Sequence, residues 1–180
     1  MQQIYRVCKT THIHSARKMV SMTETRTILA YTLPLRLFLA YEWLNGGLEK
    51  IEEMVADPAA AQGFAAVFGR WAKGNPYPFM ADFLNGFAIP NAAAVFTFVA
   101  VAEFLVGIAL LLGFLVRPAS VGGIIMNVFF YLAAGFSSAS TSGVNLVMIG
   151  AQLSMILLAP GRVLGIDALF HKRFPRIPLW

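Results

Sequence analysis

The sequence predicts an all-α membrane protein: a polytopic four-helix bundle with a helical insertion lying in the extracytoplasmic interface. Three observations carry that reading. Of the 180 residues, 58% are hydrophobic and 13% charged, about half the charged share of a soluble domain, and mean hydropathy is +0.66. The apolar residues gather into blocks near the roughly 20 residues that cross about 30 Å of hydrocarbon. The basic residues sit at the ends of those blocks.

Residues 1–26 form a basic tail. No small-residue cleavage site follows it, so a cleaved signal peptide is not expected. Met19 and Met22 are alternative starts, and Met22-Thr-Glu-Thr25 reads as an ordinary N-terminus leading into a helix. The first span is Thr27–Lys50, opened by capping candidates at Thr23–Thr25, with Pro34 in its early part. The second is Asn91–Val116, with Pro90 before it and Pro118 after it. The third, Ala119–Phe136, follows a tight Arg117-Pro118 turn. The fourth, Gly143–Ala159, follows the uncharged linker Ser137–Ser142 and closes at Pro160-Gly161. The transmembrane domain thus covers residues 27–170, and 171–180 form a second basic tail.

The insertion at residues 51–90 is too long for a plain connection. Asp57-Pro58 is an N-cap followed by proline at the first helical position. Phe64, Val67, Phe68 and Trp71 recur at the spacing of one helical face, with Arg70 and Lys73 beside it, as suits a helix in the membrane interface. Asn75-Pro-Tyr-Pro78 ends it, and Phe79, Phe83 and Phe87 point to a second short helix. The insertion is either a lid over a site that opens outward or an anchor packed across the bundle mouth.

Charge sets the orientation. Ten of the fourteen basic residues precede the first span, lie between the second and third, or follow the fourth. Both termini are therefore expected in the cytoplasm of a multi-pass plasma-membrane protein. The net charge of +5 forms no stripe with interleaved aromatics, which argues against nucleic acid as a partner. The bilayer is the partner the composition implies.

The chemistry is sought among the polar residues inside the spans, since buried charge there is costly and needs a partner. From a rise of about 1.5 Å per residue, Arg36, Glu42, Glu103, Asn127 and Gln152 are expected to converge on one inner zone. Arg36, Glu103 and Glu42 are the catalytic candidates. Arg36 with Glu103 is read either as an ion pair locking the helices or as a substrate site or proton relay. Glu42 either joins them or faces a wet mouth or a neighbouring subunit. Trp43 and Lys50 share the Arg36 face at spacings of seven. Lys50, Trp43, Asn127, Asn145 and Gln152 are the candidates for holding substrate or quinone, with inter-helix hydrogen bonding the plainer role of Asn127 and Gln152. Gly46-Gly47, Gly107, Gly113 and Gly122-Gly123 permit close helix approach.

No intrinsic metal, haem or flavin is expected. Cys8, His12 and His14 lack a fourth ligand, and Cys8 is the sole cysteine. No histidine lies within a span to ligate haem. Neither a glycine-rich nucleotide loop nor a nucleophile elbow appears. Any electron carrier must be a diffusible quinone or belong to a partner.

Taken together, several segments resemble a known family. Arg36, Gly46-Gly47 and Lys50, then Glu103-x3-Gly107 with Gly113 and Arg117-Pro118, then Pro160-Gly-Arg-x2-Gly-x-Asp167 resemble the DoxX-like family of four-helix membrane proteins. The serine-rich linker running into Gly143-x-Asn145, and the insertion, resemble its DoxD branch, and the match covers about residues 27–170. That resemblance implies a subunit of thiosulfate:quinone oxidoreductase, which joins two thiosulfates into tetrathionate and passes electrons to membrane quinone. It also implies a second subunit of DoxA type and association with a terminal oxidase. Lys50, Arg70 and Lys73 are then the fixed cations facing incoming thiosulfate, Arg36 receives the anion or a quinone carbonyl, and Glu103 or Glu42 relays protons. Two other readings compete: an accessory or docking subunit of a terminal oxidase or other respiratory complex, and a small-anion transporter, which the lack of an internal repeat weakens.

Overall fold

The computed structural model describes residues 31–57, 59–174, 176, 177 and 179. The basic N-terminal tail, with Cys8, His12 and His14, lies outside them, as do the first residues of the expected first span. All regular structure among the described residues is helical. The order is α1 (Leu33–Ala56), α2 (Ala60–Ala72), α3 (Pro78–Phe83) running into a π turn at Leu84–Ala88, α4 (Ala92–Leu112), α5 (Val116–Ala134), α6 (Ala139–Leu158) and α7 (Asp167–Arg173).

Four long helices make the bundle. α1 packs along α4, α5 pairs with α6, and contacts of α4 with α5 and of α1 with α6 close the ring. The helices that end as Ala92–Leu112, Val116–Ser137 and Ala139–Leu158 are each long and apolar enough to cross a membrane. α1 has 24 residues, about 36 Å at 1.5 Å per residue, but Arg36, Glu42, Glu49 and Lys50 interrupt its apolar run.

Glycines set the spacing of α1 and α4. A Cβ built on Gly47 would lie 2.6 Å from the Phe104 backbone nitrogen, and one on Gly107 would lie 2.7 Å from that of Leu44. The two backbones therefore touch directly, the way small residues let membrane helices approach. Gly47→Ala forces them apart and should destabilise the protein by about 1–3 kcal/mol. Gly63 of α2, with nothing within 4 Å of its Cβ position, is the control: Gly63→Ala should be neutral or stabilise by up to about 1 kcal/mol. Thermal unfolding in detergent reads the contrast, and equal effects would refute the close-approach argument.

The helix limits differ from the sequence expectation at three places. α1 starts at Leu33, with Pro34 in its first turn, where a missing N–H is tolerated. The turn between α4 and α5 is Gly113–Leu115 and not Arg117-Pro118. Gly113 (φ 64°) closes α4 while Phe114 N–H bonds back to the Ala109 carbonyl, so Arg117 and Pro118 enter the first turn of α5. The expected linker Ser137–Ser142 is mostly helix: Ser138 caps α6 by accepting the Thr141 N–H at 3.0 Å.

The insertion packs across one end of the bundle. Phe68 and Ala72 of α2 are buried with Met80, Leu84, Ala88, Ala92 and Ala133, and Phe64 stacks on Phe96 of α4. Asn75 fastens it: its Nδ2 reaches the carbonyls of Trp71, Leu132 and Ala133 at 3.1–3.2 Å, and its Oδ1 accepts the Tyr77 N–H at 2.9 Å. Such packing fits an anchor.

Candidate functional site

Sequence reasoning offered Arg36 and Glu103 as members of one inner zone and as a candidate pair. The structure separates them. Antiparallel pairing of α1 with α4 puts Arg36 beside Gly113, at the end of the bundle away from the insertion; a Cβ on Gly113 would lie 2.9 Å from Arg36 Nη1. Glu103 lies about ten residues back along α4, roughly 15 Å away in depth, and takes Lys50 as its partner.

The Glu103–Lys50 pair is built by helix register. Lys50 Nζ lies 2.8 Å from Glu103 Oε2 and 3.1 Å from the Gly46 carbonyl oxygen. The Glu103 side chain is 6% exposed and that of Lys50 25%. Gly46, one turn before Lys50, leaves room for the carboxylate: a Cβ there would sit 3.1 Å from Oε2. Lys50 is thus not a free cation at the mouth; its stem folds back along α1 to neutralise Glu103.

A polar pocket of about 160 Å³ adjoins this pair. Glu42, Trp43 and Gly46 line it from α1, Glu103 from α4, Asn127 and Phe130 from α5, and Asn145 and Met148 from α6. All four bundle helices contribute. Two lining residues carry fully buried donors without an acceptor: Trp43 Nε1 and Asn127 Nδ2. Leaving such a donor unmade costs about 1–3 kcal/mol, so the pair marks where an acceptor oxygen of a bound molecule is wanted. Asn145 Nδ2 is already committed to the Thr141 carbonyl at 2.8 Å. Gln152 does not line the pocket; its amide is buried against Gly123, where a Cβ would come within 2.5 Å of it.

Charge decides what fits. Lys50 is one ammonium among Glu42, Glu103 and the nearby Glu49, whose field reaches Glu103. A dianion entering this pocket finds its one neighbouring ammonium, Lys50, already paired with Glu103. A neutral molecule with carbonyl oxygens meets two waiting N–H donors.

A second polar cluster lies at the Arg36 end. Asp167, 2% exposed, accepts the backbone N–H groups of Leu115 and Val116 at 2.7 and 3.0 Å and so caps α5. Its own N–H donates to the Gly113 carbonyl at 2.9 Å. Arg36 feels the Asp167 carboxylate electrostatically, while its Nε and Nη1 are buried without a hydrogen-bond partner. Arg162, just beyond α6, shares the region: burial and the neighbouring Arg117 lower its guanidinium from the ordinary value, and Asp167 opposes that shift. Gly161 and Gly165 press on Gly113 with no space for a Cβ.

The structure therefore brings together Glu42, Trp43, Lys50, Glu103, Asn127 and Asn145, and leaves Arg36 and Gln152 outside. Gly46, Phe130 and Met148 complete the pocket. Gly46 carried a signal, a glycine one turn from a charged residue facing Glu103, which sequence reading gave first to helix approach and second to room for a flat ring or an anion near backbone.

A family model described as DoxD, the TQO (thiosulfate:quinone oxidoreductase) small subunit, matches residues 31–179. No solved structure matches the chain.

Proposed function

This chain belongs to the DoxD family, and from that premise we propose that it is the membrane subunit through which a thiosulfate:quinone oxidoreductase delivers electrons to quinone. The observation that carries the reading is the pair of unpartnered donors, Trp43 Nε1 and Asn127 Nδ2, beside the Glu103–Lys50 pair. They suit a neutral quinone carbonyl. Two thiosulfates give tetrathionate and two electrons; quinone takes those electrons with two protons to become quinol. Glu103 and Glu42 are the carboxyl groups placed to pass the protons. Lys50 holds Glu103 in position.

The dianion is handled elsewhere. Arg70 and Lys73, exposed on the insertion, are cations for thiosulfate at the outer face, together with a second subunit of DoxA type. No cysteine besides Cys8 is present, so sulfur joins sulfur between two bound thiosulfates or through a partner's thiol. In this reading the chain spans the plasma membrane four times with both termini cytoplasmic, and Arg36 is a structural charge near the cytoplasmic end and not a ligand for quinone.

One experiment on sealed right-side-out vesicles holding the complete complex tests both parts. Thiosulfate added outside should drive quinone reduction, and an impermeant maleimide should label Cys8 only after permeabilisation. Undiminished quinone reduction in vesicles lacking this chain would overturn the assignment, and labelling of Cys8 in intact vesicles would overturn the orientation. The rival docking role, prompted by the absence of a resident redox group in the sequence, predicts that loss of this chain removes an associated oxidase but leaves thiosulfate-dependent quinone reduction in place.

A further inference from the structure

A cavity larger than the polar pocket shares a wall with it. A crevice of about 480 Å³ opens between the start of α4 and the end of α5, with almost wholly apolar walls. Ala94, Phe98 and Val99 form one side, Ile125 and Phe130 the other, and Phe83 and Phe87 of the insertion cover its end. Phe98 and Ile125 are 71% and 64% exposed at its open side, which in a membrane is the side facing lipid.

Phe130 lines both this crevice and the polar pocket. The rings leading to it form an unbroken series: Phe87 to Phe83 at 5.3 Å between centroids, Phe83 to Phe129 at 5.8 Å, Phe129 to Phe130 at 6.0 Å. On α4, Glu103 follows Val99 by a single turn. An apolar slot with aromatic walls and the chamber with two unsatisfied donors thus lie on either side of one ring, Phe130.

We propose that this crevice holds the isoprenoid tail of the quinone, with Phe130 as the partition between the tail and the head group in the Glu103 pocket. The inference rests on the quinone reading above and deepens it by assigning the tail. The shape selects the occupant. A phospholipid with its charged head at Asn91, the polar residue at the interface end of the crevice, leaves the two donors beyond Phe130 unmatched, about 18 Å further along α4 at the level of Glu103. A quinone has the reverse distribution: a small neutral head with acceptor oxygens, and a long apolar tail free to leave sideways into lipid. Its methyl-branched, unsaturated tail packs against phenylalanine rings.

The test uses a polyprenyl quinone with a diazirine on an early isoprene unit, photolysed in membranes that hold the complete complex, with the labelled peptides mapped by mass spectrometry. Label should concentrate within residues 83–99 and 125–130. Ala94→Trp, which fills the slot, should cut that label at least ten-fold and raise at least ten-fold the ratio of KM for long-tail quinone to KM for the tailless benzoquinone head. Leu105→Trp, on an exposed part of α4 outside the crevice, should change neither. Label spread evenly over all lipid-facing helices, or insensitive to Ala94→Trp, overturns the proposal. If the wild-type complex reduces no quinone, the functional reading falls by itself, and the label map still decides whether the crevice takes the tail.

Discussion

Glu103→Gln should lower thiosulfate-dependent quinone reduction about 10²- to 10³-fold while leaving the bundle folded. The magnitude is that of a lost general acid or base. Glutamine keeps the shape of the side chain, and its carbonyl oxygen still accepts from Lys50 at the 2.8 Å position, so packing and the Gly46 cradle are retained. The ability to carry a proton is not. Lys50 keeps its bond to the Gly46 carbonyl and partial access to solvent, which limits the penalty of an unmatched ammonium. A second variant separates chemistry from support. In Lys50→Met/Glu103→Gln both charges are gone, and removing a buried pair together is often neutral where breaking it is not. That double variant should regain the melting temperature of the wild type and remain as inactive as Glu103→Gln. Recovery of activity in the double variant would make the pair a strut and end the proton-relay assignment. Assays in membranes with the complete complex, alongside thermal unfolding in detergent, give both readouts.

The membrane class, three of the four expected spans and the location of the insertion were legible because bilayer thickness dictates helix length and no soluble fold needs such blocks. Glu103 was legible for the same reason: a carboxylate in the middle of an apolar run has to face inward. Its partner, for which the sequence offered Arg36 as one candidate, is Lys50, and the difference has a definable cause. Depth was counted from Thr27, whereas α1 begins at Leu33, an error of six residues or about 9 Å. That shift moves Arg36 to within a turn of the helix end and brings Lys50 level with Glu103. Pro34 was the available signal, since proline prefers the first turn of a helix. Pro118 carries the same lesson in α5, where it sits in the first turn and not in the connecting loop.

Other features had no local signal. Asn75 ties the insertion to carbonyls 57 and 58 residues away, and no spacing rule reaches that far. Asp167 was visible only as part of a family pattern, since its role as a helix cap depends on a turn 51 and 52 residues earlier in the chain. The polar pocket was half legible. Glu42 and Asn127 were named from depth and Trp43 from sharing the Arg36 face, but which way they faced required the register between helices. The crevice beside it was invisible, because an apolar wall residue and an ordinary lipid-facing residue look alike in sequence.

Asp167→Ala should be the most destabilising single change, lowering stability by about 3–5 kcal/mol. The carboxylate does three things at once. It satisfies the buried N–H groups of Leu115 and Val116, each costing about 1–3 kcal/mol if left unmade. It places negative charge at the N-terminus of α5, where the helix dipole favours it. It also supplies the counter-charge for Arg36, which is 3% exposed with Nε and Nη1 unpartnered. The turn it holds is strained, with Leu115 at φ 50°, a conformation that costs a non-glycine residue about 1–2 kcal/mol. Without the cap nothing offsets that strain. A loss of this size corresponds to a fall in melting temperature on the order of 10 °C for a chain of this length. Asp167→Asn should lose less, since one acceptor oxygen remains, though its NH₂ then faces a backbone donor. Arg36→Met supplies the second leg of a double-mutant cycle: if Arg36 depends on Asp167 for charge balance, it should cost less in the Asp167→Ala background than in the wild type. A melting curve for Asp167→Ala that overlays the wild type would show that the three contacts do not hold this end of the bundle together.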